Sequence, residues 1–465
     1  MRRTPNSPTP ARGERGFSLI ELVVASLIAV EILVAAGIMF DLHNRLARVQ
    51  AQITDTQQSL RVGQYDMVRT LRMAGRGGLP ARFLDTSVAP NAWRNVAVDV
   101  RNNVDDTNRA ISLDGTLVDV PLAVAGSDIL TVRGCITTTL YQTTQQSLDG
   151  GSLTISNPSP VGLRQSLTPI KNEIDAADLG SPDSQPMLAV VSPVSRSIYA
   201  TVRVTDVDSS GVDADGNGTM KVDLDRAANT LGNAVPAGMT VGLVCLVEEY
   251  RYYIREDHEI PGDATTPIKT HLSRARMQPG TDKPYGAVAD NLRLDIADDV
   301  IDLQVALGYD TDYPSTGTAI VGAFDDDLDN MGDDDVIFED TTDAGRATDD
   351  WLYNSTSDDP TRIQWTTHRY VNVGTGFANT GPVRLYHVRV STVARTARPD
   401  PRYEVQRIGV PEGGNEYLED NDYSVAPSNF WKTADPPSTP AAKFTDRRMH
   451  RIRLLRTEVQ LRNVS

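Results

Sequence analysis

The sequence predicts an α+β protein, in which a long N-terminal membrane-spanning helix packs on an antiparallel β-rich globular domain with large insertions. One observation is an apolar stretch from Phe17 to Phe40, followed by apolar residues at helical spacing as far as Met67. Another is the change near residue 81, where short β-rich runs separated by Gly, Pro, Asp and Asn begin. A long helix followed by many strands is an α+β arrangement. We expect a leader at 1–16, a transmembrane part at 17–40, a continuing helix at 41–75 and a globular domain at 81–465.

The leader sets the expected orientation. It carries four arginines against one glutamate, and three prolines discourage regular structure: Arg2, Arg3, Arg12, Arg15, Glu14, Pro5, Pro8 and Pro10. Positive charge keeps a flanking segment in the cytoplasm. The residues after Phe40 are therefore expected across the membrane.

The apolar stretch is long enough to cross a bilayer. Phe17 to Phe40 spans 24 residues, and a helix rising about 1.5 Å per residue needs about 20 to cross roughly 30 Å of hydrocarbon. Its only ionisable residues are Glu21 and Glu31. A carboxylate within the membrane is costly unless something pairs with it, so Glu21 requires an explanation.

The helix is predicted to continue beyond the membrane as a narrow apolar stripe. The stripe consists of Leu42, Leu46, Val49, Ile53, Leu60 and Met67. A stripe of this kind is a packing seam, and its later part is expected to face the sheet. Gly75, Gly77, Gly78 and Pro80 then end the helix.

Strands are predicted through the rest of the chain. The clearest runs are 128–133, 200–204, 239–247, 250–255, 300–309, 383–393 and 451–462. Apolar and polar residues alternate well after Val383, which is typical of a half-buried antiparallel strand.

The residues Gly16-Phe17-Ser18-Leu19-Ile20-Glu21 after the basic leader closely resemble the processing site of type IV prepilins and type II secretion pseudopilins. The resemblance implies that prepilin peptidase cuts after Gly16, that Phe17 becomes an N-methylated mature terminus, and that Glu21 pairs with a neighbouring subunit during assembly. The apolar segment then stays in the mature protein, unlike a Sec-type signal peptide. The alternative is a signal anchor with a chance glutamate.

Later segments resemble, in order, the landmarks of PilW-type minor pilins. They are Leu71–Gly75, Ser127–Leu130, Tyr252–Arg255, Val300–Val305, Gly308–Asp310 and Val459–Asn463. The resemblance implies a minor pilin acting in type IV pilus assembly, in a priming or tip complex, with other pilins as partners. It also implies a single-pass inner-membrane protein with a periplasmic globular domain, exposed on the pilus after assembly. The alternatives are a type II secretion pseudopilin and a pilus-borne adhesin or binding module, the latter suggested by insertions near 81–125, 137–200, 311–380 and 397–445.

Composition argues against other functional classes. The net charge of −17 and pI of about 4.8 do not suit nucleic acid as a partner, since phosphate binding needs basic surface. The six histidines are scattered without a ligand spacing, and no phosphate loop, CxxC or nucleophile elbow is present. We therefore expect no enzymatic activity.

The two cysteines, Cys135 and Cys245, are each in a β-rich run. The expected compartment permits a disulfide between them. The alternative is a pair of buried free thiols.

The segment near 206–225 resembles the first half of a calcium loop. Asp213, Asp215 and Asn217 occupy positions 1, 3 and 5, and Gly218 occupies position 6, where a calcium loop needs glycine for a sharp turn. Leu224 stands where a bidentate glutamate belongs, so Asp223 or Asp225 would have to replace it. The alternative is a solvated turn between two strands.

A second acidic segment lies at 325–350, with twelve acidic residues and one basic residue. Asp327, Asp329 and Asp333 are spaced like a repeat-type calcium loop, although Met331 stands at a ligand position. Closely spaced carboxylates repel one another without a counterion, so structural calcium is one expectation and a disordered acidic surface loop, the usual fate of charge runs, is the other.

Overall fold

The computed structural model describes 22 stretches of the chain. They are residues 18–79, 97–101, 104, 109–113, 117, 119–143, 151–157, 166–177, 179–181, 184–193, 199–226, 238–258, 268–286, 289–310, 351–352, 363–364, 369–370, 384–397, 410–412, 415–418, 421–422 and 451–461. The chain divides into two compact units, 1–54 and 55–465. The α+β prediction is confirmed at this level, because a long apolar helix precedes a domain rich in antiparallel strands.

Helix α1 spans Leu19–Met73. Its length follows from an uninterrupted sequence without proline, in which Gly37 and Gly63 are the only glycines. A turn over 74–77 ends it, and Gly75 and Gly77 within the turn, with Gly78 directly after it, have positive φ. Glycine is favoured in that region because it has no Cβ to clash.

The largest sheet has ten antiparallel strands. They are β1 (Val98–Arg101), β2 (Ile129–Gly134), β3 (Tyr141–Thr143), β4 (Ser152–Ser156), β5 (Met187–Val191), β6 (Tyr199–Asp208), β7 (Thr219–Asp225), β8 (Leu243–His258), β9 (Ile268–Met277) and β10 (Leu294–Asp298). The long β8 organises this sheet, because its first part pairs with β3 and β5 and its second part with β2 and β9.

Six of these strands close into a ring. Around the ring, β8 pairs with β3, β3 with β4, β4 with β7, β7 with β6, β6 with β5, and β5 again with β8. The ring has its own apolar core, which includes Ile155, Leu188, Val202 and Val222. Helix α2 (Thr168–Asp175) adds Ile170 and Ile174 to that core. Closure removes free strand edges within this part of the fold.

A second sheet has the order β12 (Trp351–Leu352), β11 (Val300–Asp310), β15 (Arg384–Arg395) and β19 (Ile452–Gln460). Two smaller sheets are β13 (Ile363–Gln364) with β14 (Arg369–Tyr370), and β16 (Val410–Glu412) with β17 (Asn415–Leu418) and β18 (Asn421–Asp422). The pairings are antiparallel.

The main core joins the end of α1 to both large sheets. Leu60, Met67 and Leu71 lie in one cluster with residues of β2, β8, β11 and β15. Of the predicted seam, Leu60 and Met67 are buried, whereas Leu42 and Leu46 are exposed. The seam therefore packs within the chain only in its later part.

Candidate functional site

The first turn of α1 is closed by a reciprocal capping box. The Ser18 backbone N–H donates to Glu21 Oε2 at 3.0 Å, and the Ile20 N–H donates to Ser18 Oγ at 3.4 Å. Such a box satisfies donors that a helix start leaves without intrahelical partners. Glu21 thus has a local partner, which the sequence pattern Ser-x-x-Glu could have revealed. Gly16 and Phe17, the predicted cleavage and methylation residues, lie outside the described residues.

The apolar part of α1 presents its side chains outward. Large apolar side chains between Leu19 and Phe40 are 50–81% exposed. The helix is long and apolar enough to cross a membrane. An apolar surface of this extent marks contact with a membrane or a partner.

Glu31 differs from Glu21 in its surroundings. Its side chain is exposed, and within the described part of the chain that side chain has no hydrogen bond or ion pair. A charged side chain at the centre of a bilayer costs about 2.5–3.5 kcal/mol on insertion scales.

The later part of α1 is tied to the sheets by polar contacts as well as by its core residues. Asp66 Oδ2 accepts from the Tyr252 hydroxyl at 2.9 Å and forms an ion pair with Arg274 at 3.0 Å. Burial, helped by the Asp66 charge, raises the pKa of Tyr252 far above its ordinary value. On the other sheet, the side-chain amide of Gln64 donates to the Leu455 carbonyl at 2.6 Å. These contacts fix which face of the helix meets each sheet.

The end of α1 lies beside a disulfide. Cys135 follows β2, Cys245 lies in β8, and the two are bonded with their Cα atoms 5.8 Å apart. The Cys135 N–H donates to the Arg76 carbonyl at 2.8 Å. A Cβ placed on Gly77 would approach Cys135 Sγ to 2.8 Å and Ala189 Cβ to 2.9 Å. The helix end, β2 and β8 therefore meet at one closely packed point.

A buried ion cluster lies on β2 and β8. Glu249 is fully buried, and it accepts from Arg133 Nε at 2.7 Å and from Arg251 Nη2 at 2.9 Å. Burial opposes the charge of Arg251, but Glu249 and Asp282 together hold its pKa above the ordinary value. The Gly280 N–H also donates to Glu249 at 2.8 Å. Buried charges are tolerated in such a site because each is paired with an opposite charge, which offsets the cost of removing it from water. The sequence did not predict this cluster, because no local pattern marks it.

The first predicted calcium loop is the turn between β6 and β7. Asp213 Oδ1 accepts from the backbone N–H groups of Asp215 and Asn217 at 3.0 and 2.8 Å. These bonds, with that from the Asn217 side chain, hold the pKa of the Asp213 carboxyl below its ordinary value. Ser166 Oγ donates to the Asp215 carbonyl at 3.1 Å, so the segment before α2 braces the turn.

The remaining predicted ligands are not gathered there. Asp223 lies on β7 opposite Asp206, five residues beyond Gly218 and so roughly 16 Å further along an extended strand. In the part of the chain that the structure describes, no three His, Cys, Asp or Glu side chains form a group able to hold a metal. Asp327, Asp329 and Asp333 lie outside the described residues. Calcium at either segment stays a prediction.

The two parts of α1 thus differ in their surroundings. The apolar part near its start is exposed, and the part near its end is packed in a core.

A scan of the chain against protein-family models, a search of curated proteins and a search of solved structures find no match.

Proposed function

We propose that this chain is a PilW-like minor pilin. It is made as a prepilin, is held in the inner membrane by residues 17–40, and carries its globular domain in the periplasm. It then joins other pilins in a type IV pilus, in a priming or tip complex. The observation that carries the proposal is the division of α1 into an exposed apolar part and a part packed on antiparallel sheets.

The first turn of α1 supports the assignment. In the proposed mature protein Phe17 supplies the terminal amine, one residue before Ser18. Glu21 uses Oε2 to accept from Ser18, and a carboxylate has further lone pairs for other donors. It can therefore keep its helix start and still bind the terminal amine of a neighbouring subunit.

A pilus-borne binding module is a second candidate, favoured by the six-stranded ring. The ring has its own core, separate from the core around α1. It therefore encloses an interior that α1 does not enter, although β5 and β8 also pack on the core around α1. The test measures binding of the full chain to an array of glycans. Binding that is lost when the β6–β7 turn is replaced would support this candidate.

The proposed processing is tested by mass spectrometry of the mature N-terminus. The expected result is a chain that begins at Phe17 and carries one added methyl group on its amine. An uncut terminus, a cut upstream of Gly16, or a cut beyond Phe40 would contradict the prepilin assignment. Cells lacking prepilin peptidase provide the control, because the chain there should keep its first sixteen residues.

A further inference from the structure

The two carboxylates of the apolar helix have unequal surroundings. Glu21 accepts a hydrogen bond from the helix start at Ser18. The Glu31 side chain has neither a hydrogen bond nor an ion pair in the described structure. The residues three and four positions away from Glu31 are Leu27, Ile28, Val34 and Ala35, and neighbours at these spacings are the ones able to pair on a helix surface. The chain itself thus supplies no partner for Glu31.

We propose that Glu31 pairs with a basic side chain of a different membrane helix. The inference rests on the membrane location in the proposed function. Phe17 to Phe40 is centred between residues 28 and 29, so Glu31 lies only about 4 Å beyond the middle of the span at 1.5 Å per residue. Ionisable residues at that depth face a partner or an aqueous cavity. The partner that fits is a helix with lysine or arginine near its midpoint.

A second copy of this chain does not fit. Between Arg15 and Arg45 the sequence contains no lysine or arginine, and Arg45 pairs with Asp41 at 2.6 Å. In the proposed assembly, the Phe17 terminal amine of a second copy is already the partner of Glu21. Two copies in register would bring Glu31 against Glu31, and like charges at short range disfavour association. The charge pattern therefore selects a different chain.

The test uses the full chain in phosphatidylcholine vesicles, with a donor dye on Ala47→Cys, which is exposed and outside the apolar stretch. The partners are two synthetic Leu-Ala transmembrane peptides, which carry an acceptor dye and either one lysine or one leucine at the midpoint. Energy transfer measures their association with the chain. Polar contacts between membrane helices are worth roughly 0.6–1.7 kcal/mol, so the lysine peptide should bind about threefold to eighteenfold more tightly.

The preference should disappear in Glu31→Leu and persist in Asp41→Asn, the matched control, which removes an exposed carboxylate just beyond the apolar stretch. Equal binding of the two peptides to the inserted wild-type chain, or a preference that survives in Glu31→Leu, would overturn the inference. Weaker association between copies of the Glu31→Leu chain than between wild-type copies would assign the site to a second copy and also overturn it. Failure of the chain to insert, detected by vesicle flotation, would count against the membrane anchor of the proposed function as well.

Discussion

Glu21 Oε2 accepts the Ser18 backbone N–H at 3.0 Å, so the carboxylate closest to the start of α1 serves its own helix. Ser18 in turn accepts from the N–H of Ile20. This reciprocal arrangement gives Glu21 a structural role beside the assembly role that we propose for it. The two roles depend on different properties, one on a hydrogen-bond acceptor and the other on a negative charge.

Substitutions at Glu21 should test the assembly role and its dependence on charge. Glu21→Gln keeps an acceptor for the capping box but removes the charge, whereas Glu21→Val removes both. We expect both variants to lower incorporation into filaments, measured by immunoblotting of sheared pili. Neither should change the melting of the 55–465 unit, because Glu21 lies in the other unit. Normal incorporation of Glu21→Gln would mean that charge at this position does not serve assembly.

Loss of the disulfide should lower stability substantially. Cys135 and Cys245 are 110 residues apart, and closing a loop of that size contributes up to about 4.7 kcal/mol in the chain-entropy model, with about 2–4 kcal/mol typical. Cys135→Ala combined with Cys245→Ala should lower the free energy of unfolding by about 2–4 kcal/mol in a denaturant titration. Thiol labelling of the unreduced, denatured wild-type chain should find no reactive cysteine. Two reactive cysteines would exclude the bond.

Breaking the buried ion cluster should be costly. Glu249→Ala leaves Arg133 and Arg251 buried without their shared carboxylate, and removing one partner of a buried pair costs about 3–5 kcal/mol. The matched control is Asp223→Ala, which removes an exposed partner of Lys221 at 3.7 Å and should cost about 1 kcal/mol or less. Urea denaturation of both variants measures the difference. Similar losses in the two would contradict the structural role of the cluster.

Gly77 should tolerate a side chain less well than Gly126. Both have positive φ, which strains any residue with a Cβ, but only Gly77 has neighbours within 4 Å of the added atom. Backbone strain of this kind costs roughly 1–3 kcal/mol, and overpacking at Gly77 adds a similar amount. Thermal unfolding of Gly77→Ala and Gly126→Ala should therefore show the larger loss at Gly77. Equal losses would mean that packing against the disulfide contributes little.

Calcium, if it binds the acidic segments, should raise the melting temperature of the full chain. An ion that binds only the folded form at ten times its Kd stabilises by roughly 1–2 kcal/mol. Asp213→Ala with Asp327→Ala should abolish the difference between calcium and chelator, whereas Asp206→Ala is the control. Identical melting of the wild-type chain in both buffers, with no calcium in elemental analysis, would leave these segments as solvated turns.

The lowered pKa of the Asp213 carboxyl predicts how the stability of the β6–β7 turn depends on pH. Hydrogen bonds from Asn217 hold its pKa below the ordinary value in the folded chain. The stabilisation is therefore present above the unfolded-state pKa and is lost as the pH falls through the folded-state pKa. Asp213→Asn should lessen the acid sensitivity of the β6–β7 turn, measured by hydrogen exchange of the Asn217 amide. An unchanged acid profile would contradict this.

The sequence by itself determined the long helix and the β-rich character of the rest, because both follow from local periodicity and chain stiffness. The length of α1, its glycine-rich end near Gly75 and the strands at 300–310 and 384–395 follow directly from such patterns. The pattern Ser18-x-x-Glu21 also contained the capping box, although assembly was the only role inferred for Glu21. Local sequence patterns are enough to predict a structural feature when the residues that interact are only a few positions apart in the chain.

Only the tertiary structure decided how distant segments meet. It placed β5 against β8 to close the six-stranded ring, and it gathered Arg133, Glu249 and Arg251 into a buried ion cluster. It also placed Asp223 on a strand away from Asp213. The physical reason is that strand pairing and burial of charge depend on the whole core that surrounds them, whereas helix formation and capping depend on neighbours one turn away.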